Sequence, residues 1–139
     1  MSNYRKFLED AFSHYSKGET EKFFHCLDSK VKWSIHGEHD LAGEYNSINE
    51  VKKAYQRYTD LLRDKPKHRL RYLVIEGNKA IALLFDEVVG KDNRNYEINY
   101  TLYLDLNKAG DRILKVDNFL DSQPIVTLAK VTSGKKHAA

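Results

Sequence analysis

At His68 the chain changes its period. Before it, apolar side chains recur every three or four residues; after it they recur every second residue, in runs spanning 68–76, 79–90, 95–106 and 112–121. The links between those runs are Gly77-Asn78, Gly90-Lys-Asp-Asn93 and Asn107-Lys-Ala-Gly110. Links this short join only neighbours that run in opposite directions, so the second half of the chain must form an antiparallel sheet and the first half must supply helices to cover it. In the run 95–106, Tyr96, Ile98, Tyr100, Leu102, Leu104 and Leu106 share one face, which is expected to meet the helices. The run 79–90 is apolar on both faces, with Ile81, Leu83, Phe85 and Val89 opposite Ala80, Ala82, Leu84 and Val88. Helices on one side and a second subunit on the other account for that, and Leu84 is the contact expected on the subunit side.

In the first half, Tyr4, Phe7, Leu8, Ala11, Phe12 and Tyr15 draw one apolar stripe that ends near Gly18. Thr20 is placed to cap a short second helix carrying Phe23, Phe24 and Leu27, and Val31-Lys-Trp-Ser-Ile35 alternates as a strand does. Ser47 with Glu50 three residues on forms a capping box for a third helix with Ile48, Val51, Tyr55, Tyr58 and Leu62 on its buried side, closed by Pro66. The 139 residues suffice for one domain, expected over 1–130, followed by a flexible tail over 131–139.

Composition excludes several classes of function. A net charge of +3 is too slight and too dispersed for a nucleic-acid surface, and the dense basic segment from Arg63 to Arg71 reads as a solvated link. No apolar run is long enough to cross a bilayer, and the acids near the N-terminus do not fit a signal peptide, so a cytoplasmic location is expected. Cys26 is alone, and its Phe-Phe-His-Cys-Leu setting favours a buried, inert thiol. His36-Gly-Glu-His-Asp40 has the residue types of a metal site, but a glycine-containing loop holds none of them rigidly, so no metal is expected. The chain has neither a phosphate-cradling glycine loop nor a nucleophile elbow, and no cofactor is expected.

Trp33-Ser-Ile-His-Gly37, Leu41-Ala-Gly-Glu-Tyr45 and Asn118-Phe-Leu-Asp121, in this order of helices and strands, resemble the SnoaL-like and ketosteroid-isomerase-like branch of the nuclear transport factor 2-like superfamily. The resemblance implies an α+β fold: a cone-shaped, curved, antiparallel (mixed) sheet wrapped around N-terminal helices, with a pocket between them and a homodimer through the convex face. It implies no single activity, since such folds serve isomerases, polyketide cyclases, epoxide hydrolases and proteins that only bind. Ketosteroid isomerisation needs a tyrosine, an aspartate base and a protonated aspartic acid around one carbonyl. Ala11, Ser34 or Ile35, and Leu102 stand at the matching positions, which argues against that reaction. No strand offers the arginine and aspartate of an epoxide-hydrolase relay two residues apart on its apolar face.

Strand phase and position at the open end of the cone select the candidate site. His36 leads as general acid or base, against a bland role as a strand-end histidine bonded to a loop carbonyl. Glu87 follows if its strand face looks into the cavity, and Asp121 if the last strand bulges; otherwise Asp121 caps the turn at Ser122-Gln-Pro124. Asn118 is placed to orient a ligand or to satisfy a buried backbone group. Tyr15, Trp33, Tyr55, Tyr58, Phe85 and Tyr100 would wall the pocket. The expected ligand is a small apolar or aromatic molecule, with acid–base chemistry of isomerase, cyclase or hydrolase type. The alternative is a non-catalytic module for ligand binding or protein assembly.

Overall fold

The computed structural model describes residues 4–137, with side chains to Ser133. Its elements are α1 (Tyr4–Ser16), α2 (Thr20–Phe24), β1 (Leu27–His36), β2 (Gly43–Tyr45), α3 (Ile48–Thr59), β3 (Lys67–Glu76), β4 (Lys79–Val89), β5 (Asn95–Leu106), β6 (Ile113–Leu120) and α4 (Ser122–His137). The strands form one sheet in the order β2-β1-β6-β5-β4-β3. Every pairing is antiparallel except β1 with β6, which makes the sheet mixed. α1 packs over β3, and α3 packs over β1 and β2.

Local chemistry sets the element ends. Ser47 caps α3 by accepting the Glu50 N–H at 3.1 Å, and the Glu50 carboxylate accepts the Asn46 N–H at 3.2 Å, one residue upstream of the usual reciprocal bond. Thr20 is the first residue of α2 and not its cap; Glu19 takes that position without a side-chain bond. The tail expected from residue 131 continues as helix to His137. Ile125 and Leu128 anchor that helix in a second apolar cluster with Leu41, Tyr58, Leu62, Val88 and Ile98, and Pro124 lies in the first turn, where its missing N–H is not needed. Residues 138–139 lie outside the described part. No helix among the described residues is long and apolar enough to cross a membrane.

Leu8, Phe12, Phe23, Leu84, Leu102 and Leu104 form the main core between sheet and helices. Leu84 is 1% exposed and belongs to this core, so the expected subunit contact at Leu84 is corrected. Its strand turns Ala80, Ala82, Leu84, Asp86 and Val88 inward, and Leu83 outward. The large exposed apolar side chains are Tyr72, Val74, Leu83, Tyr103, Leu114 and Phe119, all on β3 to β6.

One irregularity decides what reaches the interior from β3. Its pairing with β4 runs in register from Glu76↔Lys79 to Tyr72↔Leu83, then slips by one, so that Leu70 faces Leu84 and His68 faces Asp86. The extra residue is a bulge at Arg71. Leu73 and Ile75 point inward on one side of it, Leu70 and His68 on the other, while Lys67, Arg69 and Arg71 stay exposed. Without the slip, alternation from Ile75 and Leu73 would drive all three cations into the core.

Candidate functional site

Between the sheet and α1, α2 and α3 lies a cavity of about 70 Å³, room for several waters or for part of a small organic molecule. Phe23, Phe24, Trp33, Ile35, Leu41, Val51, Ala54 and Leu120 give it apolar walls. Its polar groups come from Tyr15, Tyr55, Tyr58, Asp86, Tyr100 and Asn118.

Asp86 organises this polar wall and is 2% exposed. Tyr58 donates its hydroxyl to Oδ2 at 2.7 Å; Tyr100 donates to Oδ1 at 2.7 Å, and His68 Nδ1 lies 2.7 Å from the same oxygen. A carboxylate only accepts, so His68 carries its proton on Nδ1, and its Nε2 accepts the Tyr55 hydroxyl at 2.8 Å. Tyr15 stacks on the His68 ring with centroids 3.8 Å apart and planes 10° apart. The Tyr15 and Tyr100 hydroxyl oxygens are 3.2 Å apart. Burial pushes the Tyr15, Tyr58 and Tyr100 hydroxyls well above the ordinary tyrosine range, and the negative charge of Asp86 adds to each; burial and then Asp86 also raise Tyr55. All four phenols are therefore held as proton donors around one carboxylate.

The expected ligand-binding residues divide by strand phase. Tyr15, Trp33, Tyr55, Tyr58, Tyr100 and Asn118 all line the cavity. Phe85 does not: it is on the outer face of β4, with the Arg71 guanidinium 3.9 Å from its ring centroid. The three expected catalytic groups all stand outside. His36 follows Ile35 and so points to the opposite side, where it stacks on Phe119 (4.4 Å, 11°) and its Nε2 lies 3.0 Å from Asp117 Oδ1. Glu87 is exposed and accepts from Arg69 Nε at 3.1 Å, because Asp86 takes the inward position. Asp121 is exposed just past β6, where no bulge turns it inward; its N–H donates to the Asn99 carbonyl at 3.0 Å.

The two groups that sequence reasoning missed are Asp86 and His68. Asp86 pairs with Ile98 on β5, whose face is unambiguous, so register across the Gly90–Asn93 link carries the signal for it. His68 depends on the Arg71 bulge. Among the described residues no cluster of histidine, cysteine or carboxylate side chains could hold a metal ion. In the loop 37–42, His39 is engaged at both ring nitrogens, by the Leu41 N–H and the His36 carbonyl. Cys26 is half-buried, with burial raising its thiol, and does not line the cavity.

No protein-family model and no functionally curated protein matches the sequence. Solved structures do match the fold. A protein of unknown function from Burkholderia pseudomallei, described as NTF2-like, superposes with a TM-score of 0.76 at 14% identity over 92% of this chain and 98% of its own. A cystatin-like protein of unknown function from Xanthomonas campestris gives 0.74 at 13% identity, over 90% and 95%. TerC, co-crystallised with polyporic acid, gives 0.76 at 11% identity, over 95% and 99%. At these identities the likeness establishes the nuclear transport factor 2-like, cystatin-like fold and nothing finer.

Proposed function

We propose that this nuclear transport factor 2-like fold holds a SnoaL-like pocket for a small, largely apolar carbonyl compound, and that Asp86 exchanges a proton with it. The observation that carries this reading is a carboxylate 2% exposed at the wall of an aromatic cavity, with two tyrosines and a histidine holding it. Burying a charge costs several kcal/mol even when it is well bonded, and an apolar replacement would often be more stable, so a buried carboxylate at a cavity wall points to chemistry.

The donor count indicates what each group does. Oδ1 of Asp86 accepts two bonds, whereas Oδ2 accepts one, from Tyr58. Oδ2 keeps a lone pair for a proton. As the C–H bond next to a ligand carbonyl breaks, its proton passes to Oδ2, its electron pair forms the carbon–carbon double bond, and the carbonyl π pair moves onto oxygen. A tyrosyl O–H of the cavity wall stabilises that oxygen, and returning the proton to carbon completes an isomerisation or exchange. His68 positions the carboxylate from behind, and Tyr55 holds the far nitrogen of the His68 ring. TerC's complex with polyporic acid supports small-molecule binding in this fold.

Cyclohexanone in D₂O tests the reading by NMR. Wild type is expected to accelerate exchange of the protons next to the carbonyl, and Asp86→Asn to lose at least 10²-fold of that acceleration. Ligand binding without exchange would leave the non-catalytic module as the function.

The outer face supports a second copy as partner. Tyr72, Leu83, Tyr103 and Phe119 expose large apolar area on one side of a sheet whose other side packs against the helices. A homodimer through that convex face buries it.

A further inference from the structure

Among the described residues, Asn118 is the one that lines the cavity with a buried polar atom that no protein group satisfies. Its Oδ1 has no hydrogen-bond partner, and the residue is 8% exposed. The other such atom among the described residues, Thr132 Oγ1 on α4, does not line the cavity. An unpaired buried acceptor costs about 1–3 kcal/mol, and a leucine of similar size would avoid that cost.

Strand register separates Asn118 from Asp86. Asp86 pairs with Ile98 on one side of β5, and Asn118 pairs with Leu102 on the other side. Four residues along β5 and the width of that strand separate the two groups, so they mark opposite ends of the cavity, with Tyr100 between them. The walls between are apolar and aromatic, and no lysine, arginine or histidine lines the cavity.

We propose that the ligand carries a hydroxyl group, remote from its reacting carbonyl, that hydrogen-bonds Asn118. A hydroxyl both donates and accepts, so it satisfies the amide in either orientation, and being neutral it suits a cavity with no cation. The substrate class is therefore a compact hydroxy-ketone whose two functions stand at opposite ends of an apolar body. This inference rests on the pocket reading above and assigns Asn118 to specificity, whereas Asp86 acts on the reacting carbon.

Dissociation constants of cyclohexanone and 4-hydroxycyclohexanone for wild type and Asn118→Leu, measured by protein-observed NMR, decide it. Wild type is expected to prefer the hydroxy-ketone by at least tenfold, since removing the partner of a buried polar group costs that much or more. Asn118→Leu is expected to abolish the preference. Equal affinities in wild type, or a preference that survives Asn118→Leu, would overturn the hydroxyl assignment and leave the carbonyl pocket standing. Binding of neither ketone to wild type would overturn both.

Discussion

The sheet carries two histidine–aspartate pairs, one on each face, and they are nearly the same object in two environments. On the inner face, His68 lies 2.7 Å from Asp86 and stacks on Tyr15; on the outer face, His36 lies 3.0 Å from Asp117 and stacks on Phe119. The side chains of the inner pair are 1% and 3% exposed, and those of the outer pair 44% and 29%. Residue types, ring stacking and bond lengths match; dielectric and solvent access do not. A hydrogen-bonded pair in water competes with solvent and is weak, whereas the same pair inside forces every neighbour to answer its hydrogen bonds. Tyr55, Tyr58 and Tyr100 give that answer around His68 and Asp86. On the outside, Asp117 has only Lys115 as a second neighbour, at 3.8 Å.

Removing each carboxylate should break the likeness most sharply. Asp86→Ala leaves two tyrosine hydroxyls and an imidazole N–H without an acceptor, and it is expected to cost about 3–5 kcal/mol in urea unfolding. Asp117→Ala is expected to change stability by no more than about 0.5 kcal/mol. Equal losses would mean that burial is not what separates the pairs. Next comes function: His68→Gln should slow cyclohexanone exchange by about 10–100-fold while the fold persists, and His36→Ala should leave the rate unchanged. A rate that depends on His36 would return the active centre to the outer face.

The inner cluster also predicts alkaline behaviour. Tyr15, Tyr58 and Tyr100 have raised folded-state pKa values, so the folded chain keeps protons that the unfolded chain releases near pH 10. Their contribution is intact below about pH 10 and is lost as pH rises through the folded values, at up to about 1.4 kcal/mol per pH unit for each hydroxyl. Ultraviolet titration should show these phenolates appearing together with the loss of far-ultraviolet dichroism. Gradual ionisation in a still-folded chain would show the cluster to be open to solvent. For the outer face the expected effect is on assembly and not on folding. Leu83→Glu should give monomers in sedimentation with stability per chain little changed, and an intact dimer would remove the proposed interface.

Much of the fold was legible because period and link length constrain each other. The β5 face from Tyr96 to Leu106, the capping box at Ser47 and the aromatic lining were open to that reasoning. The outward position of His36 follows from its neighbours: Trp33 and Ile35 alternate inward, so the next residue must point out. Asp86 was recoverable in the same way, since hairpin pairing places residues on the same face as their partners and Ile98 is inward. His68 was not recoverable by alternation, because the bulge that admits it leaves only an indirect trace. That trace is the physical absurdity of burying Lys67, Arg69 and Arg71 together. The unpaired amide of Asn118 is likewise invisible in one dimension, being a fact about what fails to approach it.

The slip at Arg71 has a consequence for how such a chain can change over generations. With one residue more in β3 between Leu70 and Tyr72, Arg69 in place of His68 would stand across from Asp86, and a guanidinium does not give up its proton at any biological pH. The carboxylate would then be locked in a permanent ion pair, and no side chain of the pocket would have been exchanged to bring this about. In this architecture strand length itself is a chemical variable, and a single-codon insertion outside the cavity can change its acid–base character.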